Sequence, residues 1–330
     1  MDSFVRLAKK LEGRSYILAR IFYKTIFFIL GYPHLLLVRH RVRKAIGRKT
    51  FNALPSLKVA SFPNKLVRAT SLFKMSYSLE KVLLVCRLKP QQFDPWKEYD
   101  LILNWQDITI SHIDPQRYLE ASYAHTKKVF PKENTICLNF HCSDISKKHV
   151  GKIHTEVFGY SLDIDPLWFE GPAVRKSDGN ATHDGQIIHC PITEEEYDNS
   201  CVYNVLIDNV FEGYVSDFRV VYMNGILDLF YEKRRRIANR FSAGCDKVAI
   251  RSIDEEFTSK EQRKINAFCK KVGFDYGELD VLRDRQTGKI YIVDVAKTPF
   301  DITKVMSKQE KCKEAELLCV AFIKNVLKAN

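Results

Sequence analysis

Phe274–Asp275–Tyr276–Gly277–Glu278–Leu279–Asp280–Val281–Leu282–Arg283–Asp284–Arg285–Gln286–Thr287–Gly288–Lys289–Ile290–Tyr291–Ile292–Val293–Asp294–Val295 reads as two alternating strands joined by a short polar turn ending in glycine, the signature of a β-hairpin. With the turn centred near Gln286–Thr287, Asp280 and Asp294 fall close to opposite each other on one sheet face, within a residue of register. Two carboxylates so placed repel. On a largely apolar hairpin they call for a compensating charge, and a divalent cation with bound phosphates is its common supplier. The alternative is that one Asp sits at a solvent-facing strand end and the pair never meets.

The pattern extends past the hairpin. Gly277-x-x-Asp280 on one strand, then a second strand ending Asp294-Val295-x-x-Thr298-Pro299, resembles the metal-binding hairpin of the ATP-grasp superfamily. The branch it resembles is the one associated with bacterial surface-polysaccharide and teichuronopeptide biosynthesis. The resemblance covers residues 140–305 and implies an α/β chain: two α+β lobes clasping a nucleotide, preceded by a small α/β lobe. It divides the chain into a basic, apolar N-terminal helical segment (1–50), a small lobe (51–150) and the nucleotide-binding lobes (151–330).

Size and charge agree with a globular chain. At 330 residues and 45% hydrophobic side chains it can bury a sizeable core. The net charge of +12 is localised: residues 1–50 hold twelve Lys/Arg against two acids, leaving +2 for the other 280 residues. That distribution, with no RNA-recognition signature in the body, argues against a nucleic-acid partner. Nine scattered cysteines and no evident secretory signal point to a reduced, cytoplasmic setting. Cys137, His141, Cys142, His149 and His154 lie close in sequence, but their spacings match no common zinc finger.

Residues 16–30 form an apolar helical pattern interrupted by Arg20 and Lys24, and Leu35–Val38 runs into Arg39, Arg41, Arg43, Lys44, Arg48 and Lys49. Charges and Pro33 interrupt a spanning helix of roughly 20 residues. Two readings fit residues 15–49: an in-plane helix at the inner face of an anionic membrane, or a helix packed on the body with a solvated basic end. Residues 51–75 read as a connector with short helical pieces. The apolar runs Lys81–Cys86, Asp100–Trp105 and Ile136–Phe140 read as buried strands of a parallel layer.

A helix beginning near Ser143 or Asp144 follows, with Lys147 and Lys148 near its start. In the superfamily a lysine there often faces the phosphates; two solvated lysines are the alternative. Ala173–Lys176 reads as a strand leaving into a Gly179–Gly185 loop, where Lys176 and backbone N–H groups suit phosphates. Thr182 and His183 are ligand contacts or turn residues. Cys201–Asp208 reads as a further strand, and the resemblance implies that it leads to an adenine hinge with Asp208 on the ribose. Asp217-x-Arg219-Val220 resembles the family's Asp-x-Arg-Val strand, and Lys233 to Arg240 holds five basic residues in eight. Arg219, Arg234 and Arg240 are the expected phosphate or acyl-phosphate contacts. Thr258–Glu261 forms a capping box, Ile265, Phe268, Cys269 and Val272 follow at helical spacing, and Gly273 terminates the helix. Ser307–Asn330 reads as an amphipathic helix covering the sheet.

The resemblance thus implies a ligase-type enzyme using ATP and Mg2+. Asp280 and Asp294 would hold the metal, and Lys176 and the arginines the phosphate oxygens. The substrate would be a small-molecule, peptide or glycan carboxylate, activated as an acyl phosphate for attack by an amine-type acceptor. One position departs from the family pattern, in which Asn follows two residues after the acid: here it is Ala296, which cannot ligate. The second expectation is therefore a non-catalytic nucleotide-binding or scaffold protein.

Overall fold

The computed structural model describes residues 32–63, 78–94, 97–106, 109, 134–180, 182–242, 244–299 and 305–328. The apolar segment 16–30, and with it any reading of how it meets a membrane, lies outside the described residues. Helix α1 (Tyr32–Ile46) buries Leu35, Val38 and Val42. Arg39 donates to the carbonyls of Val85 and Leu84 at 3.0 and 2.9 Å, and Arg41 pairs with Glu316 at 3.6 Å. Part of the basic cluster is therefore tied to the body. No helix among the described residues is long and apolar enough to cross a membrane.

After the short helix α2 (Arg48–Asn52) comes a four-stranded, all-parallel sheet in the order β2 (Pro90–Gln92), β1 (Val59–Pro63), β3 (Leu101–Trp105), β4 (Ile136–Leu138). The parallel layer expected from the apolar runs is present, but two of its parts differ. The stretch read as a connector contributes the interior strand β1. The run Lys81–Cys86 belongs not to a strand but to helix α3 (Ser78–Val85). A six-residue apolar run has no period long enough to separate a buried helix from a buried strand. The helix buries Lys81, whose ammonium lies 2.6 Å from Glu314.

Helix α4 (Lys147–Phe158) starts later than the sequence suggests. Its N-cap is Ser146, whose hydroxyl accepts from His149 N, while Asp144 accepts from Ser146 N at 2.7 Å. A three-stranded antiparallel sheet follows, ordered β6 (Gln186–Cys190), β5 (Gly171–Ser177), β7 (Cys201–Val205). The largest sheet is antiparallel and contains β8 (Val210–Phe211), β9 (Tyr214–Met223), β10 (Ile226–Arg236), β11 (Lys247–Arg251), β12 (Tyr276–Arg283) and β13 (Ile290–Ala296). Its main path runs β11-β10-β9-β12-β13, with β8 on β9. Helix α5 (Ser259–Val272) carries the expected Thr258/Glu261 capping box and ends at Gly273 in the left-handed region.

Alternation gives the large sheet two unlike faces. Phe218, Val220, Phe230, Leu279, Val281 and Val295 point to a core completed by α4 and α5. The opposite face carries Asp217, Arg219, Lys233, Asp280 and Asp294, and beyond them apolar residues packed under α6 (Lys308–Ala321), which continues into a π-type turn. That second core runs from Leu35 on α1 to Val326, so the C-terminal helix closes both the parallel sheet and the large one. Asn139, at the end of β4, fastens the two: its side chain accepts from Asp275 N and Tyr276 N and donates to Tyr276 O at 2.7 Å. At the hairpin entrance Gly277 has φ +147°, and a Cβ there would collide with the Ala296 carbonyl and the Phe274 ring.

His154 lies in the core beneath β13, stacked on Phe158 and flanked by Tyr160 and Tyr291. Burial, with a smaller contribution from Lys264, pushes its pKa down to about 4. The unfolded chain takes up this proton near the ordinary value of 6.5, so between pH 6.5 and 4 the unfolded state binds more protons and stability falls with falling pH. The expected loss is at most about 3 kcal/mol by pH 4. Urea denaturation at pH 7, 5.5 and 4 checks it: His154→Phe is expected to flatten this part of the slope.

Candidate active site

The hairpin has the register anticipated from its letters: Asp280 pairs directly with Asp294, and a bulge follows between Asp280 and Val281. Its turn is organised by Asp284, which accepts from the backbone N–H groups of Gln286 and Thr287 at 3.1 and 2.8 Å. The two carboxylates differ in their surroundings. Asp280 receives compensating charge from neighbouring side chains: Arg219 Nε and Nη2 donate to its two oxygens at 3.0 and 3.3 Å, and Lys233 Nζ donates at 2.9 Å. Burial alone would raise the Asp280 carboxyl, but Arg219 and Lys233 outweigh it and hold the group far below the usual carboxylate range. Asp294 goes the other way. Burial and the neighbouring Asp280 raise its pKa, with Lys147, Lys176 and Arg219 offsetting part of the rise.

The pair forms the floor of a cleft of ≈ 200 Å³ between the three-stranded sheet and the charged face of the large sheet. Its lining includes the apolar residues Leu162, Val174, Val205, Ile207, Leu282 and Val293, most of them packed together. It also includes six cations, Lys147, Lys176, Arg219, Lys233, Arg235 and Arg240, and four acids, Asp184, Asp217, Asp280 and Asp294. Lys176 leaves β5 into the cleft. Burial lowers its pKa to about 8, with Lys147 adding to the effect and Asp294 opposing it. If Lys176 meets an anion here, affinity for that anion is expected to fall as pH rises through 8 and the ammonium is lost. Titrations of tripolyphosphate at pH 7 and 9 on wild type and Lys176→Arg check this, with the arginine variant showing the smaller decline.

Of the residues anticipated from sequence, Lys147, Lys176, Thr182, His183, Arg219, Arg240, Asp280 and Asp294 come together in this cleft, and Lys148, Asp208 and Arg234 do not line it. Lys148 donates outward to Asn199 O at 2.5 Å. Asp208 packs against the hairpin turn, where its carbonyl accepts from Arg285 N and its own N–H donates to Asp284, and the next residue, Asn209, faces the cleft. Arg234 is on the other sheet face, paired with Glu232 at 2.6 Å, while its neighbours Lys233 and Arg235 enter the cleft. Arg235 donates to Asp217 at 2.6 Å and to the Ser242 carbonyl at 2.6 Å. Glu278, one alternation step from Asp280, is buried, lies 3.5 Å from Arg219 and stands in register with Ala296. Burial pushes its carboxyl up to about 7, partly offset by Arg219.

The β5–β6 loop is docked on the start of α4. Lys147 donates to the Gly179 carbonyl, and Asp178 accepts from Lys148 N at 2.8 Å. Thr182 donates to Asp184 at 2.9 Å, tying the loop to itself. The fit to a divalent cation is partial. Asp294 Oδ1 is buried with no hydrogen-bond partner, an acceptor suited to a cation. Mg2+ is commonly held by one or two carboxylates together with substrate phosphates, and Asp294 meets that need. Asp280 Oδ1 accepts from both Arg219 and Lys233, so Oδ2, which accepts from Arg219 alone, is the oxygen with capacity left to share it. Among the described residues there is no group of three His, Cys, Asp or Glu placed to hold a metal unaided.

No protein-family model matches the chain. No curated protein matches it either. Solved structures with a similar chain trace include the macrocyclase MdnC of Microcystis aeruginosa, bound to its precursor peptide MdnA: 10% identity, TM-score 0.43, 81% of this chain and 99% of that one. Another is an ATP-grasp RimK-domain protein of Sphaerobacter thermophilus, at 11% identity and TM-score 0.45, covering 80% of this chain and 98% of that one. The D-alanine–D-alanine ligase of Bacillus anthracis, complexed with ATP, has 12% identity and TM-score 0.45, over 83% of this chain and 98% of that one. At these values the likeness is one of outline, and the functional reading rests on the cleft.

Proposed function

We propose that the cleft binds ATP, and that the protein is an ATP-dependent ligase-type enzyme that activates a carboxylate for an amine-type acceptor. One observation carries the reading: a single cleft is lined both by an apolar cluster, suited to a purine, and by six cations and four acids, suited to a polyphosphate. Lys147, Lys176 and Arg219 would position the phosphates, and Arg240 the carboxylate. Attack of a carboxylate oxygen on the γ-phosphorus breaks the bond to the bridging oxygen, releases ADP and leaves an acyl phosphate. The amine nitrogen then attacks the acyl carbon, phosphate departs, and the nitrogen loses a proton. Magnesium, when bound through Asp294 and the phosphates, would neutralise charge on the phosphate oxygens.

Placing the base at the apolar cluster has its own test. Wild type is expected to bind ATP more tightly than tripolyphosphate. Val293→Trp crowds that cluster and is expected to weaken ATP by at least about tenfold, roughly 1.4 kcal/mol, with tripolyphosphate unchanged. Equal loss for both ligands would remove the base from this position. A second reading, nucleotide binding without turnover, is favoured by Ala296 and by the engagement of Asp280 with Arg219 and Lys233. It predicts ATP binding with no ADP release in a screen of carboxylates and amines.

A further inference from the structure

Between Glu12 and Glu80 the chain has no Asp or Glu, while the same stretch holds thirteen Lys/Arg. Helix α1 shows how the fold divides its share of that charge. On the inner side Leu35, Val38 and Val42 are buried, Arg39 is engaged with the Val85 and Leu84 carbonyls, and Arg41 with Glu316. The other side is exposed in the described structure. Its first half presents Tyr32, Leu36 and Leu37, which are 37%, 46% and 42% exposed. Its second half and the start of α2 present His40, Lys44, Arg48 and Lys49, all exposed. Burial, then Arg87 and Arg43, push the Arg39 pKa down, so three guanidinium groups share one small region beside this face.

We propose that the outer face of α1 and α2 docks on an anionic lipid surface, its leucines entering the interface and its lysines and arginines meeting headgroup phosphates. Such docking does not depend on the ligase reading. Because its inner face is packed on the body, α1 would lie along the surface and not across it.

Lipid suits this face better than other polyanions do. A nucleic acid offers phosphates but little to Leu36 and Leu37, whereas a bilayer interface takes apolar and basic side chains together. The sequence leading into the helix has the same two-part character: twelve of the fifteen residues 16–30 are apolar, with Arg20 and Lys24 among them. With no acid between Glu12 and Glu80, nothing in this stretch opposes the approach of a negative surface.

Flotation of the full chain with vesicles of phosphatidylcholine, and of phosphatidylcholine mixed equally with phosphatidylglycerol, tests the proposal. Anionic vesicles are expected to bind at least about tenfold more tightly than neutral ones, with the preference lost at high salt. Lys44→Gln/Arg48→Gln/Lys49→Gln should weaken binding to anionic vesicles by at least about tenfold. Leu36→Ser/Leu37→Ser, a change at two exposed positions, should weaken it by a similar factor while the salt dependence stays. Leu37→Trp keeps the apolar character and is expected to bind as wild type does, with the fluorescence it adds quenched by brominated lipid. Wild type that binds neither vesicle, or both equally, would overturn the proposal. Full binding by the serine variant, or an added tryptophan that brominated lipid leaves unquenched, would do the same. Poly(U) bound more tightly than anionic vesicles would make this a nucleic-acid surface, and self-association lost in the serine variant without vesicle binding would make it a contact between copies; either result removes the lipid.

Discussion

Asp280→Asn is expected to destabilise the ligand-free protein and, at the same time, to make it a better receptor for a metal-free polyanion. Asp280 receives three donors, two from Arg219 and one from Lys233. Removing one partner of a buried ion pair leaves the other charge uncompensated, at a cost of about 3–5 kcal/mol. Asparagine keeps the shape and one acceptor, so the lower end of that range applies, read as a fall in melting temperature. The cations so released face the cleft. In the wild type a phosphate must compete with Asp280 for them; in the variant it need not. Tripolyphosphate in EDTA is therefore expected to bind Asp280→Asn at least about tenfold more tightly, roughly 1.4 kcal/mol, and to restore most of the lost melting temperature. A variant as stable as wild type, or one that binds tripolyphosphate more weakly, would contradict this account of the charge balance.

The second large effect is expected outside the cleft lining, under the C-terminal helix. Lys81 on α3 and Glu314 on α6 are both fully buried with charged atoms 2.6 Å apart, and Tyr231 donates to the other Glu314 oxygen at 2.7 Å. Glu314→Leu is expected to cost about 3–5 kcal/mol, because the buried Lys81 ammonium loses the Glu314 carboxylate 2.6 Å away. Lys81→Met/Glu314→Leu should recover most of that loss, since an apolar pair of similar volume removes the stranded charge as well. Urea denaturation of the three proteins at pH 7 gives the comparison. A double variant no more stable than Glu314→Leu would mean that the pair is not the source of the effect. The position matters for the cleft because Tyr231 stands opposite Arg219 in register, so the C-terminal helix braces the strand that aims Arg219.

What the letters disclosed follows from how local each signal was. The hairpin was legible because strand alternation and the polar turn fix the parity of Asp280 and Asp294 without reference to any other part of the chain. The capped helix at 259–272 was legible for the same reason. The run at 81–86 was not, because six residues carry too little period to separate a buried helix from a buried strand. Arg234 was misassigned for a reason of parity. A two-residue turn at Asn224–Gly225 would pair Met223 with Ile226 and put Arg234 on the face of Arg219. The chain instead pairs Tyr222 with Ile226, which flips the alternation and delivers Lys233 and Arg235 to the cleft. Asp208 and Asn209 present the same difficulty without a strand to count along: they follow the end of β7, where one residue's turn of the backbone exchanges their roles. The engagement of Asp280 by Arg219 and Lys233 could not be read at all until the three strands carrying them were set side by side.

The central claim is that the cleft between the two antiparallel sheets is a nucleotide site. Calorimetric titration of the full chain with ATP, in magnesium and in EDTA, on wild type and Lys176→Ala, tests it most directly. One saturable site is expected, weakened at least about tenfold by Lys176→Ala, the loss of roughly 1.4 kcal/mol from one charged contact. The absence of ATP binding in both conditions, or binding untouched by Lys176→Ala, would contradict it.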